Sequence, residues 1–445
     1  MTFVNRAPLQ DNPNSAWQDF PAGRERLILM LLLAAAGGAL EFYDFVIFIF
    51  LADVIGTLFF PPGLAPGFVT LQTFGIFATG YIFRPLGGVV LAHFGDLFGR
   101  KRVFAFSILL MALSTLAVAF LPTYRTIGYA APISLVLLRM LQGIAIGGEV
   151  PGAWTFVAEH VSVRRMGIGC ALVGVGLNLG TIMGLATTAA VTALLSPDDV
   201  LSYGWRLPFL LGGVFGVIGV YLRKRLRETP IFSALRAQKL LVLELPLGVV
   251  IRDYPAGIFV SIICTWILSA VIVVFTLMIP TILQQLHHVG REQALLASVI
   301  GTISLTIGVI IAGAILDRIG PAKLFVLGGL LLAIGDTMLY AAEWIDGRYI
   351  DGISAVVGLL AGAVIGAVPV TMVRCFPPPV RFTGVSFSYN ISYALCGGLT
   401  PVLVAVFLTL GLAPHVYYLA FISVLGIALG IYLLVFPEII ANERL

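Results

Sequence analysis

The chain has 445 residues, 59% hydrophobic and only 11% charged, where a soluble domain carries about 25% charged. So few charges cannot cover a water-facing surface, which excludes a soluble globular protein. The net charge of +4 matters less than where the charges lie, and no nucleic-acid partner is expected.

In chain order, residues 1–26 are polar, contain Pro13, Pro21 and Gly23, and read as a cytoplasmic N-terminal tail. No cleavable signal peptide is expected, because the first apolar run continues into a full-length span. Twelve spans are predicted at 27–51, 68–94, 103–122, 131–155, 167–193, 205–222, 255–281, 294–316, 323–341, 352–374, 382–409 and 415–436. Each approaches the roughly 20 residues that cross a bilayer. They must be helices, since in lipid every backbone amide has to be bonded within its own segment. The fold class is therefore an all-α polytopic membrane protein. Residues 27–222 and 255–437 form two six-helix bundles, 223–254 a cytoplasmic linker and 438–445 a C-terminal tail.

Two features support the division into halves. Gly95-Asp96-Leu97-Phe98-Gly99-Arg100-Lys101-Arg102 recurs in weaker form as Leu316-Asp317-Arg318-Ile319-Gly320-Pro321-Ala322-Lys323, with the aspartates 221 residues apart. A charged tight turn repeated at half-length implies two related bundles, the layout of a secondary transporter working by alternating access. With the amino terminus cytoplasmic, twenty of the 26 Lys and Arg residues fall on inner segments and four on outer ones. That bias places both termini in the cytoplasm, and the compact loops fit a bacterial inner membrane. Cys170, Cys264 and Cys396 lie within spans and Cys375 at a span end. None has a CxxC partner, so they read as small buried hydrophobes and no metal site is expected.

An ionisable residue inside the hydrocarbon region needs a partner or a water-filled cavity. Glu41 and Asp44 are three apart and share a face of span 1. Arg139, on span 4, lies at comparable depth. Asp44, Arg139 and Glu41 are the candidate proton-coupling residues, with a static buried ion pair of Asp44 and Arg139 that only fixes helix packing as the other reading. Arg84 precedes Pro85 on span 2, with two roles open: holding a substrate carboxylate by bidentate hydrogen bonds, or pairing with Glu41 or with carbonyls that Pro85 frees. Gln142 shares a face with Glu149. The first is a candidate substrate contact; the second is a candidate proton exit site or a partner for the inner turn. Trp266, Tyr389, Asn390 and Tyr393 are candidate substrate contacts from the second half. In the turns, Asp96, Arg100 and Arg102 read as a latch on the inner side with Glu159, and Asp317 with Arg374 as a swapped-sign version of it. The first latch, with more charges, is expected to weigh more in the conformational balance.

Several stretches carry a family resemblance: Glu41-Phe42-Tyr43-Asp44-Phe45, Phe83-Arg84-Pro85-Leu86-Gly87-Gly88, the turn at 95–101, Arg139-Met140-Leu141-Gln142-Gly143, Gly147-Gly148-Glu149, Gly204-Trp205-Arg206-Leu207-Pro208-Phe209, Arg225-Leu226-Arg227-Glu228-Thr229-Pro230 and Gly397-Gly398-Leu399-Thr400-Pro401. With twelve spans in two halves, the chain resembles the major facilitator superfamily, in its metabolite:proton symporter branch. Members of that branch carry citrate, 2-oxoglutarate, shikimate, proline or betaine. The resemblance implies that helices 1 and 4 line one cavity, and that Asp44 with Arg139 is similar to the Asp–Arg pair of proton-coupled sugar symporters. Departures are Leu97 for the usual Arg, Ala92 for Gly, Pro321-Ala322 for a basic pair, and Arg374 for Glu. The expected function is proton-coupled uptake of a small organic acid or zwitterion by a monomer, with the proton as coupling ion and no other cofactor. The alternative is a proton-driven efflux antiporter for an amphipathic compound. An enzyme is disfavoured by the lack of clustered nucleophile, metal or cofactor groups.

Overall fold

The computed structural model describes residues 24–64, 66–98, 100–224, 246–286, 289–342, 349–409 and 414–441. Each of the twelve expected spans coincides with a helix or a run of helices. Span 1 is Arg24–Phe50, span 2 Pro66–Ile82 and Arg84–Phe98, and span 3 Arg100–Phe120. Span 4 is Ala130–Ile146 and Glu149–Ala158, span 5 Met166–Leu194, and span 6 Arg206–Lys224. The second half has span 7 from Pro255–Val271 through Ile272–Met278 to Ile279–Leu286, span 8 Arg291–Ile319, span 9 Pro321–Ala342 and span 10 Ile350–Arg374. Span 11 runs through Arg381–Ser392, Tyr393–Gly397 and Gly398–Thr409, and span 12 is Pro414–Val435. Among the described residues nine helices are long and apolar enough to cross a membrane alone, and ten if the bent pair at span 6 is one. Span 3 begins with Arg100-Lys101-Arg102, which leaves Phe106–Phe120 as its apolar part. Span 11 carries Ser386, Ser388, Asn390 and Ser392, all buried.

The surface is that of a protein solvated by lipid. Leu86, Leu113, Leu137, Val217, Leu330 and Val424 are exposed, while Asp44, Arg84, Arg139, Gln142, Glu149 and Asn390 are buried. Apolar outside and polar inside is the arrangement expected where the solvent is hydrocarbon and ionisable groups serve a pathway. The two bundles meet along two seams, span 5 against span 8 and span 2 against span 11.

Prolines shape the spans that line the centre. A helical proline removes the bond to the carbonyl four residues earlier, and in lipid that carbonyl needs another donor. Pro280 frees the Thr276 carbonyl, which accepts from Ser298 Oγ of span 8 at 3.2 Å. Pro151 likewise frees the Gly147 carbonyl, which accepts from the other bundle, as described below. Proline 401 stands four residues after Gly397, where span 11 has widened into the π-turn Tyr393–Gly397.

Candidate functional site

Span 2 restarts at Arg84, with Pro85 as its second residue. Arg84 is fully buried, and its Nε, Nη1 and Nη2 have no hydrogen-bond partner. Rings surround it instead. Its Cζ lies 4.4 Å from the centroid of Tyr393, 5.3 Å from Tyr389, 5.5 Å from Tyr81 and 5.8 Å from Phe45. Tyr81 stacks on Tyr393 at 5.6 Å across the seam between spans 2 and 11, and Trp154 meets Tyr389 edge-on at 5.4 Å. The cage therefore has walls from both bundles: Phe45 and Tyr81 from the first, Tyr389 and Tyr393 from the second. Ring faces attract a guanidinium by about 0.5–2 kcal/mol each. They satisfy none of its five N–H donors, which are built to meet a carboxylate.

Phe45 joins this cage to a second buried cation. Arg139 Cζ is 4.7 Å from the Phe45 ring, 4.5 Å from Phe48 and 5.2 Å from Phe77. Its Nη1 donates to Gln142 Oε1 at 2.8 Å, and Nη1 and Nη2 reach the Phe45 carbonyl at 3.4 and 3.5 Å. Gln142 Nε2 then donates to Thr115 Oγ1 at 2.9 Å, and Thr115 is a polar neighbour of the Asp44 carboxyl. Asp44 and Arg139, expected within direct or one-water reach of each other, are instead bridged by a relay of hydrogen bonds, Arg139–Gln142–Thr115, that ends beside Asp44. The reason is steric as well as polar. The Asp44 carboxylate occupies the space a side chain at Gly212 of span 6 would fill, so it faces spans 3 and 6, while Arg139 turns toward span 1 and the aromatic rings. Asp44 Oδ1 has no hydrogen-bond partner.

Other expected residues are redistributed. Gln142 has both ends of its amide engaged in the relay, so it positions Arg139 and Thr115 instead of facing a ligand. Asn390 Nδ2 donates to the Gly147 carbonyl of span 4 at 2.6 Å and to the Ser386 carbonyl at 2.7 Å. Ser386 Oγ reaches the carbonyls of Gly88 and Gly147 at 3.2 and 3.4 Å. Asn390 thus clamps the bundles together beneath the cage, while its Oδ1 has no hydrogen-bond partner. The clamp depends on glycine at 147: a Cβ there would run into the Arg84 carbonyl and lie 2.6 Å from the Gly88 nitrogen. Trp266 is not brought to the site. Its indole donates to Tyr418 Oη of span 12 at 2.9 Å and its ring lies 5.4 Å from Phe421. Tyr389 and Tyr393 are brought to it, as cage walls.

Glu149 opens the second part of span 4, buried, and accepts from Ser107 Oγ of span 3 at 3.1 Å. Glu159 is buried at the C-terminal end of the same span. The side chains of Glu41, Asp96, Arg100 and Arg102 lie outside the described residues. Asp317 reaches beyond its expected partner. Its two carboxylate oxygens accept from the backbone amides of Gly167 and Ile168 at 2.7 and 3.2 Å, capping the start of span 5 in the other bundle. Arg374, the expected partner, acts on Asp317 electrostatically as a neighbour, and the two amide bonds run between the halves. Thr115, Phe45, Tyr81 and Ser386 were not singled out individually by sequence reasoning. Only Phe45 carried a signal, its place beside Asp44 in the Glu41–Phe45 stretch.

Comparison with known proteins agrees with this architecture. Residues 29–401 match the Major Facilitator Superfamily profile. The chain is 35% identical over 405 residues to a provisionally named proline/betaine transporter of Staphylococcus aureus (strain COL), covering 88% of this chain and 84% of that one. It is 31% identical over 422 residues to the glycine betaine/proline/ectoine/pipecolic acid transporter OusA of Dickeya dadantii, covering 92% and 83%. Its fold is similar to the solved proton:xylose symporter XylE bound to 6-bromo-6-deoxy-D-glucose, with a TM-score of 0.77 at 16% identity over 92% of this chain and 95% of that one. Fold, family profile and relatives converge, and the chain belongs to the Major Facilitator Superfamily.

Proposed function

We propose that the protein is a proton-coupled importer of a small zwitterion of the proline and betaine type, lying in a bacterial inner membrane with both termini cytoplasmic. Its relatives are named as transporters, and transport rather than catalysis is its activity. The observation that carries the substrate reading is Arg84, a fully buried guanidinium at the seam between bundles with no hydrogen-bond partner for any of its nitrogens. A substrate carboxylate would meet those donors in the two-pronged geometry that Arg favours.

Proton coupling falls to Asp44. While Asp44 is ionised, Thr115 and Gln142 carry its charge toward Arg139 through oriented dipoles. A proton on Asp44 removes the one described carboxylate of this relay, leaving Arg84 and Arg139 uncompensated and the site more receptive to a carboxylate. Such coupling between two ligands is mutual. With both loads in place the compartment tolerates reorientation across the membrane better than with either alone. The test is uptake of labelled proline and glycine betaine by purified protein in liposomes, with and without an outside-acid pH gradient. Accumulation should require the gradient, and Arg84→Gln should lower uptake by roughly 100-fold, the scale of a lost charge-assisted bidentate contact. Uptake indifferent both to the gradient and to Arg84→Gln would remove the reading.

A further inference from the structure

The rings around Arg84 form a site for an organic cation, and the cation they hold is a side chain of the protein. Four rings from three spans enclose its Cζ within 4.4–5.8 Å. A fifth ring, Trp154, backs Tyr389. Aromatic cages of this kind recognise quaternary ammonium groups through their negative ring faces. A carboxylate paired with Arg84 would sit at the edge of the guanidinium plane, about 4 Å from Cζ. An ammonium one or two bonds beyond that carboxylate would then lie outside the volume the four rings enclose. The same rings cannot hold both cations.

We infer that Arg84 and the cationic headgroup of the substrate exchange places in this cage. The substrate carboxylate draws the guanidinium out along its own N–H edge, and the ammonium takes the ring faces of Tyr81, Tyr389 and Tyr393. Exchange replaces a guanidinium held by rings alone with two cations that are both satisfied, one by a carboxylate and one by rings. It requires a substrate with both charges a short link apart. A plain carboxylate would move Arg84 without refilling the cage, and a plain cation would have nothing with which to displace it. Tyr389 and Tyr393 come from the second bundle, so the exchange can be completed only while the bundles are together. This rests on the reading that Arg84 holds the substrate carboxylate.

Binding to the purified full-length chain in lipid nanodiscs tests it, using glycine betaine, its uncharged-headgroup isostere 3,3-dimethylbutyrate, and tetramethylammonium. The wild type should bind glycine betaine roughly 10- to 100-fold more tightly than the isostere, the scale expected from several ring contacts. It should bind tetramethylammonium negligibly. Tyr393→Leu should collapse the betaine-to-isostere ratio toward one while leaving isostere binding. Arg84→Met should lose betaine and gain tetramethylammonium, because the cage is then open to a lone cation. Equal affinity of the wild type for betaine and isostere would overturn the inference, as would equal weakening of both by Tyr393→Leu, or a folded Arg84→Met with no tetramethylammonium binding. If Arg84→Met does not fold, the Tyr393→Leu ratio decides. Betaine binding undiminished in Arg84→Met would instead overturn the carboxylate reading of Arg84, which keeps the two failures distinct.

Discussion

A buried carboxylate with one oxygen lacking a donor is costly in lipid, and Asp44 is one. Its polar neighbour is the Thr115 hydroxyl, which accepts from Gln142. A carboxyl beside a neutral hydroxyl can change its proton occupancy without breaking an ion pair, which a direct contact with Arg139 would have opposed. Asp44→Asn keeps the shape and removes the titration. Gradient-driven accumulation should fall to the no-gradient level while exchange of internal for external substrate persists. Undiminished accumulation in liposomes would sink that assignment. Thr115→Val breaks the relay at its middle and leaves Gln142 Nε2 without its acceptor. We expect the ratio of gradient-driven to exchange flux to fall roughly fivefold or more, the scale of one lost buried hydrogen bond. An unchanged ratio would show that the relay is only packing. That Asp44, Arg84 and Arg139 are candidates was legible from charge in an apolar run. That Thr115 stands with them was not, because a threonine in a span bonds its own helix in most positions, as Thr371 does to Ala367.

Within single spans, prolines and glycines set where the bundles can join. Pro151 withholds the amide that would otherwise satisfy Gly147, and Asn390 of span 11 supplies the donor. The two residues should therefore be energetically coupled. Asn390→Leu alone leaves a buried carbonyl without its best donor, a loss of about 1–3 kcal/mol. In a Pro151→Ala background the helix can bond Gly147 itself, and the same Asn390→Leu change should cost less. Thermal unfolding of the four proteins of this cycle would give the coupling, and strict additivity would dismiss the link. The proline was visible in the sequence, and the freed carbonyl follows from it by rule. The donor, 243 residues away, could not be identified from helical spacing, which relates only residues on one helix.

Across the whole molecule, the bundles are held on the side of the chain termini by Asp317 and by the Asn390–Ser386 clamp, and the cage closes above them. Asp317 bonds two backbone amides of the opposite bundle. Separating the halves there would strand a carboxylate and the first amides of span 5 together. The weaker copy of the motif therefore makes inter-bundle bonds of its own. Asp317→Asn should raise the reactivity of a cysteine placed on the inner part of span 5 toward a membrane-impermeant thiol reagent by roughly tenfold, the scale of one charged hydrogen bond lost. An unchanged reactivity would show that these bonds do not hold the halves together.

Membrane residence, twelve spans, two halves and the short set of buried ionisable residues were determined by the sequence itself. They depend on the length and apolarity of continuous segments, and on the cost of any charge within them, which are local properties of the chain. Only the tertiary structure decided which of those residues meet. Asp44 meets Thr115 instead of Arg139, Trp266 meets Tyr418 instead of the cavity, and Asp317 meets an amide 150 residues away in the other bundle. Hydrogen bonds and ring contacts act over a few ångströms. The rotation of each helix about its axis, and the glycines that let neighbours close to that distance, are settled by packing among helices far apart in the chain.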